Sequence, residues 1–399
     1  MLPLSGVRII AVEQYGAGPF GTQMLADLGA EVIKIENPRD GGDVARAVGP
    51  YFVAGAERSR ASVFFQGLNR NKRSVTLDLA RPEAKAVLHD LVRGADAVIG
   101  NLRGDVPARL GLTYASLGAV KPSIVCGHLT AYGRDGPRAK WPGYDYLIQA
   151  EAGYFSINGE PGSAPSRFAL SLVDLMTCVA LGLAVTSGII RARATGTGGD
   201  VDVSLFDVGL ANLNYLAHWH LNAGHVQGQE KRSAHPSLTP CQLYRTGDGW
   251  IYVMANKEKF WPILCGHLGV PELARDPRFA DFKARLANRD TLTGLLDAAF
   301  QRRTTAEWLA LFAGSVPAAP VLDIAAALAS PFVTEGGRIQ EVSLPEGPAV
   351  RLLACPVRSA GDATPARAAP SLGEDTAAIL GALGYDEARL AALRDQGVI

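Results

Sequence analysis

Residues 7–36, VRIIAVEQYGAGPFGTQMLADLGAEVIKIE, decide the fold class. A short apolar run (7–14) leads through a Gly-rich turn into a segment with helical spacing (19–29), and that into EVIKIE (31–36), which alternates as a strand does. Strand, helix, strand at this spacing predicts two parallel strands joined by a crossover helix. Pro19 stands where a first helical turn accepts proline, and Gly29 where a helix ends. The pattern repeats downstream: SVTLDL (74–79), PEAKAVLHDLVRGA (82–95), AVIGN (97–101) and SIVCGH (123–128). The expectation is an α/β protein, a parallel sheet with helices on its faces.

The turn itself carries a motif. Gly16, Gly18 and Gly21 satisfy G-x-G-x-x-G between a strand and a helix, and Glu36 ends the next strand twenty positions after Gly16. That is a dinucleotide fingerprint, so an NAD-dependent oxidoreductase is one reading. The other is that the glycines only make a tight strand-to-helix turn. Pro19, lacking an N–H donor, counts against a phosphate cradle.

The stretch PGYDYLIQAEAGYFSINGEPGSAPSRFALSLVD (142–174) ends on a carboxylate at the mouth of the apolar segment LMTCVALGLAVTSGII (175–190). Ser171 and Asp174 fit the capping-box spacing, which would make the acid a helix cap. Alternatively the helix dipole holds Asp174 ionised and available as a nucleophile. The apolar segment contains Thr177, Thr186 and Ser187 and stops at Arg191, short of the roughly 20 residues that span a bilayer. It is expected to be a buried core helix, with no membrane association.

Lys plus Arg and Asp plus Glu number 39 each in 399 residues, so no net field gathers nucleic acid. Five scattered cysteines (126, 178, 241, 265, 355) with no metal spacing point to reduced thiols, and MLPLSGVRIIAVEQ lacks the pattern of a secretory signal; a cytoplasmic protein without a metal is expected. No histidines show HExxH spacing, and no serine sits in GxSxG. The histidines read as packing or loop residues, with His235, in the polar loop AGHVQGQEKRSAHP, as the exception. The turn Asn69-Arg70-Asn71-Lys72-Arg73-Ser74 reads as a solvated loop by default, or as a phosphate contact. Composition shifts near Thr195, CQLYRTGDGWIYVMA reads as a hairpin, and helical segments follow at 257–269, 290–301 and 304–313. The chain therefore divides into 1–200, a smaller α+β domain at 201–325, and 326–399 returning to the large domain through short strands, a polar Pro/Ala linker and a final helix pair.

In order along the chain, LSGVRIIAVEQYGAGPFGTQMLADLGAEVIKIENP, LNRNKRSVTLDL, AYGRDGPRAKWPGYDYLIQAEAG, LVD, GTGGDVDVSLFD, HPSLTPCQLYRTGDGWI and LGYDEARLAALRDQGVI resemble the signature blocks of family III coenzyme A transferases, which also include α-methylacyl-CoA racemases. The resemblance implies a Rossmann-like large domain whose parallel sheet is built from both chain ends, an inserted smaller α+β domain, and an interlocked homodimer. It implies CoA transfer from an acyl-CoA donor, nearest to the succinyl-CoA:dicarboxylate members, through an aspartyl anhydride and an aspartyl-CoA thioester. No permanently bound cofactor is implied; the CoA thioester is substrate. Asp174 takes the nucleophile's place, and the CoA-binding positions fall on Leu68, Lys72, Arg73, Asn101, Leu102, Arg109 and Lys140. The substrate-loop candidates are Gly16, Tyr144, Gly224, Gly228 and His235. Two departures concern acyl selection: Gly16 stands where some members have a glutamine, and Gly224 and Gly228 are the only glycines where those members have a glycine run. The racemase branch would place a histidine where this chain has Tyr144, before Asp145; a phenol is a poor base near neutral pH. Transfer is therefore preferred to epimerisation.

Overall fold

In the computed structural model, which describes residues 1–345, 347–358 and 366–399, the opening alternation becomes a parallel sheet. Its strands are β1 (Arg8–Val12), β2 (Glu31–Glu36), β3 (Arg73–Thr76), β4 (Ala97–Gly100), β5 (Val125–Thr130) and β6 (Gly199–Ser204). They lie side by side in the order β3-β2-β1-β4-β5-β6, every pairing parallel. Ile9 on β1 sits between Val32 of β2 and Ala97 of β4. Ile9, Ile10, Val32, Ile99 and Val125 are all buried, which is why these strands read as apolar runs.

Helix α1 (Ala17–Asp27) follows β1, and α2 (Ala84–Arg93) precedes β4. Between β5 and β6 come α3 (Asp145–Glu151) and α4 (Leu172–Thr195); α5 (Leu205–Asn212) follows β6. Helix α4 lies close on β5 and β6. A Cβ on Gly127 would stand 2.6 Å from Val185, and one on Gly188 2.9 Å from Val125. Only one face of α4 is buried: Val173, Cys178, Leu181 and Val185 are covered, while Val179, Leu183 and Ile190 are 52, 69 and 70 % exposed. The expectation of a buried core helix is thus corrected to a helix buried along one face. By length and composition this helix could also cross a membrane.

These elements belong to one compact unit made of Met1–Ala152, Ala169–Asn214 and Phe332–Ile399; the other unit is Gly153–Phe168 with Tyr215–Pro331. The breaks therefore fall at 152/153, 168/169, 214/215 and 331/332, against expected breaks at 200/201 and 325/326 with 153–168 not set apart. In the second unit, β7 (Cys241–Arg245) and β8 (Trp250–Met254) form the hairpin read from the Gly-Asp-Gly turn. Helices α6 (Phe260–Leu268), α7 (Arg289–Phe300) and α8 (Thr305–Phe312) follow, and β9 (Ala318–Pro320) pairs with β8. Tyr244, Trp261, Phe300, Trp308 and Phe312 lie in its core.

The returning C-terminal part adds a two-stranded ribbon, β10 (Ile339–Val342) with β11 (Val350–Leu353), then α9 (Thr376–Ala382) and α10 (Glu387–Asp395). Residues 359–365, the middle of the expected linker, lie outside the described residues. Ile379, Leu380, Tyr385, Leu390 and Leu393 pack in one core with α2 and with Ile33, Ile35 and Val75 of the sheet. Among the described residues this return contributes helices but no strand to the parallel sheet, which comes wholly from residues 8–204. A sheet built from both chain ends is corrected accordingly.

Candidate active site

In this strand order the connections leave in opposite directions from β1 and β4, and ligands of open α/β sheets bind beyond the carboxyl ends at that point. A cavity of about 270 Å³ opens there. It is lined by Gln14–Ala17 after β1, by Asn101, Leu102 and Arg103 after β4, and by Leu129–Ala131 at the end of β5. Trp141–Tyr144 before α3, Asp174 on α4 and Leu205 on α5 complete it. A second groove of about 390 Å³ shares Gln14 and Leu102 with it and has apolar walls from Val44, Leu77, Leu79 and Leu110.

The turn between β1 and α1 is held from several sides. Gln14 N–H donates to Asn101 Oδ1 (2.9 Å), and Asn101 Nδ2 donates to Gln14 O (2.8 Å). Tyr15, with φ of +68°, occupies a left-handed conformation that a non-glycine residue adopts at a cost, and its N–H donates to Asp43 Oδ1 (2.8 Å). Below it, Lys34 Nζ reaches Glu13 O (3.0 Å) and Asp43 Oδ2 (2.8 Å). The motif glycines serve close approach. A Cβ on Gly18 would lie 2.8 Å from Asn101 Cγ, and one on Gly21 3.0 Å from the Cys178 carbonyl oxygen. Gly16 faces the acid, since its Cβ would lie 3.6 Å from Asp174 Oδ2. Among the described residues no protein acceptor takes the N–H groups of Gly16 and Ala17.

Asp174 is the third residue of α4, and the expected capping box is not formed: Ser171 makes no side-chain cap. The acceptor comes from elsewhere. Asp145 Oδ2 takes the Asp174 N–H (2.9 Å), while Gln149 Nε2 donates to Asp145 Oδ1 (2.5 Å) and Leu170 O (3.1 Å). The Asp174 carboxylate has no side-chain hydrogen-bond partner among the described residues, and it is not held strongly ionised by the helix dipole. Burial, then the neighbouring Asp145 charge, push it up to about 7. Near neutral pH it is an unpaired carboxylate of raised basicity in a cavity, which suits nucleophilic attack on a carbonyl.

The structure brings Gly16, Asn101, Leu102, Tyr144 and Asp174 together around this cavity. Leu68 lies half-buried in the short helix Val63–Asn69, and Arg109 and Lys140 are exposed. Lys72 is buried, its ammonium donating to Glu13 Oε1 (2.8 Å), Pro19 O (2.8 Å) and Asn69 Oδ1 (2.9 Å); burial takes its pKa down to about 8. Arg73, at the amino end of β3, pairs with Glu31 and Asp375. The turn 69–74 is therefore no solvated loop: Asn69, Arg70, Lys72 and Ser74 are all buried. Gly224, Gly228 and His235 belong to the second unit. There His235 Nδ1 accepts from the N–H groups of Ser237 and Leu238 (3.1 Å each), and the ring stacks on Tyr215.

Glu36 decides against the dinucleotide reading. Its Oε1 accepts from Arg46 Nη2 (2.6 Å) and Ser74 Oγ (2.6 Å), its Oε2 from Arg46 Nε (2.8 Å) and the Asp43 N–H (2.9 Å). All its acceptor sites are used internally, leaving none for a ribose hydroxyl. Sequence reasoning missed the groove residues Val44, Leu77, Leu79 and Leu110, and it missed Asp145 as the acceptor at Asp174. The rule that ligands sit at strand carboxyl ends would have pointed to 77–80; no linear pattern ties Asp145 to Asp174. Among the described residues no His, Cys, Asp and Glu cluster could hold a metal.

A sheet in the order β3-β2-β1-β4-β5-β6 with a carboxylate lining its switch-point cavity is the architecture of an α/β enzyme. The comparisons narrow the class: the chain belongs to CoA-transferase family III, whose profile matches residues 4–376. It is 34% identical over 392 residues to the succinate–glutarate CoA-transferase of Agrobacterium fabrum, covering 96% of each chain. It is 33% identical to the succinyl-CoA:glutarate CoA-transferase of Homo sapiens, covering 100% of this chain and 90% of that one. The crystal structure of a CAIB/BAIF family protein from Brucella suis superposes with a TM-score of 0.82 at 34% identity, covering 96% of this chain and 99% of that one. The protein is a CoA-transferase.

Proposed function

We propose that this enzyme moves coenzyme A from succinyl-CoA or a similar dicarboxylyl-CoA to a small dicarboxylic acid, with Asp174 as the covalent nucleophile. The observation that carries the reading is the unpaired Asp174 carboxylate, raised to about 7, in the switch-point cavity. The names of the similar enzymes support the acid class. An Asp174 oxygen attacks the donor thioester carbonyl; the C–S bond breaks and CoA leaves as thiolate, giving an acyl-aspartyl anhydride. The thiolate attacks the aspartyl carbonyl and releases the donor carboxylate, leaving an aspartyl-CoA thioester. The acceptor carboxylate attacks that thioester and again frees thiolate, which takes the acyl group from the new anhydride and restores Asp174.

The adenine end of CoA fits the apolar groove of Val44, Leu77, Leu79 and Leu110, and Gln14 and Leu102 join that groove to the cavity at Asp174. Arg109 and Lys140, exposed, remain the candidates for the phosphates, with Asn101 and Leu102 beside the chain. Lys72 and Arg73 are committed to internal ion pairs and hold the scaffold. The unused N–H groups of Gly16 and Ala17, at the positive end of α1, supply donors for the oxyanions. With Tyr144 in the cavity where a racemase would carry its histidine, transfer is favoured over proton exchange. The exposed apolar face of α4 is proposed to meet a second copy in an interlocked homodimer, and five unpaired cysteines suit a reducing cytoplasm.

Intact mass spectrometry after incubation with succinyl-CoA, with hydroxylamine or borohydride trapping and peptide mapping, tests the nucleophile. Modification at Asp174 is expected. Asp174→Ala should lose at least about 10³-fold in transfer while binding CoA as before. Full transfer by that variant, or a modified residue other than Asp174, refutes the mechanism.

A further inference from the structure

The carboxylate of Asp145 lies at the first turn of α3, 29 residues before Asp174, yet it is the acceptor for the Asp174 N–H at 2.9 Å. It has little freedom: Asp145 is 3 % exposed, and Gln149, which holds its other oxygen, is 0 % exposed. Gln149 in turn ties this pair to Leu170 O, just before α4. The start of α4 therefore depends on a distant, charged acceptor, where the Ser171 side chain at the usual position makes no cap bond.

We infer that Asp145 is a positioning residue for the nucleophile: its carboxylate fixes the first turn of α4 and sets a second negative charge beside Asp174, a repulsion released when Asp174 is acylated. This rests on Asp174 being the residue acylated. The two acids are unequal. Among the described residues Asp145 has two donors, whereas the Asp174 carboxylate has no side-chain partner, so the like-charge cost falls on Asp174. Other ionisable groups border the site: Tyr15 after β1, Arg103 after β4, Tyr144 before α3, and Cys178 one turn further along α4. Arg103 is exposed and engaged with Asp105, and Asp145 is the charge that acts on Asp174. Attack on a thioester forms the Oδ–C bond, breaks the C–S bond and passes the negative charge to the departing thiolate. The repulsion thus raises the free carboxylate's energy and is absent from the product of the step.

Asp145→Asn keeps an oxygen acceptor and removes the charge. In the wild type, kcat/KM and the rate of Asp174 labelling should fall tenfold per pH unit below an acid limb near 7. In D145N the limb should move down but stay above the ordinary carboxylate value of 3.8, because burial, the larger cause, remains; the plateau above pH 7 falls, so that the two profiles converge or cross on the acid side. A merely structural role would lower the rate at every pH with the limb unmoved, and that result overturns the assignment. If D145N does not fold, Asp145→Ser reads the same limb with a neutral oxygen. Wild-type labelling at Asp174 with an unshifted limb in the variant rejects the Asp145 role alone; absence of wild-type labelling at Asp174 rejects the proposed nucleophile, and this inference with it.

Discussion

Replacing Gly18 by alanine separates a glycine kept for packing from one kept for a ligand. The added Cβ would stand 2.8 Å from Asn101 Cγ, 2.9 Å from Asn101 Cβ and 3.1 Å from Glu13 Cβ, so Asn101 has to move. Overpacking of this kind costs about 1–3 kcal/mol. The displaced amide also endangers the two hydrogen bonds to Gln14, each contributing about 1 kcal/mol. A loss of about 3 kcal/mol lowers the melting temperature of a unit this size by about 6 °C. Because those bonds hold the turn that carries Gly16 and Ala17, labelling of Asp174 by succinyl-CoA should slow by about 10- to 100-fold. Gly16→Ala is the control. Its Cβ meets Asp174 Oδ2 at an ordinary 3.6 Å, so stability should stay within about 0.5 kcal/mol of the wild type. Thermal unfolding and the labelling rate read both effects. Wild-type stability and labelling in G18A, or an equal stability loss in G16A, would refute the packing argument.

Glu36 supplies an acid-stability prediction. Burial alone would raise its pKa, but the Arg46 hydrogen bonds and charge, Lys34 and Ser74 bring it down to about 2. Its contribution is therefore present above the unfolded value of 4.5 and lost as pH falls toward 2; Glu36→Gln should flatten that part of the unfolding profile and cost about 3–5 kcal/mol at neutral pH by leaving Arg46 buried and unpaired. Lys72→Met should destabilise by a similar amount, about 3–5 kcal/mol in denaturant unfolding, with KM for the CoA thioester unchanged, while Arg109→Ala raises that KM; the opposite pattern would return Lys72 to the CoA site. Leu183→Arg combined with Ile190→Arg should convert a dimer to a monomer in analytical ultracentrifugation, and a monomeric wild type would dispose of the second copy on α4.

Much of the large unit was legible because local rules write it. Apolar runs bounded by residues such as Pro19 and Gly29 gave the strand and helix alternation, and the Gly-Asp-Gly turn gave the hairpin of the second unit. The candidate site was legible in part. Asp174, Gly16, Asn101, Leu102 and Tyr144 meet at one cavity, whereas Lys72 and Arg73, cations in the same quoted block, do not line it. A basic turn looks alike whether its partners are phosphates or buried acids. Here Arg70 faces Asp27, Lys72 faces Glu13, and Arg73 faces Glu31 and Asp375, the last 302 residues away.

The sequence by itself determined the parallel α/β class, the family resemblance that the comparisons bear out, and the acid at the mouth of the long helix, because periodicity, turn residues and block order are local or ordered along the chain. Only the tertiary structure decided what the charged groups do. It saturated Glu36 with Arg46, Ser74 and Asp43, removing the dinucleotide reading, and it brought Asp145 to the start of α4 as the acceptor for the Asp174 N–H, setting a buried acid behind the one that lines the cavity. A carboxylate's pKa and a lysine's availability depend on burial and on the sign of the nearest charge, and both are set by chain segments that meet only on folding.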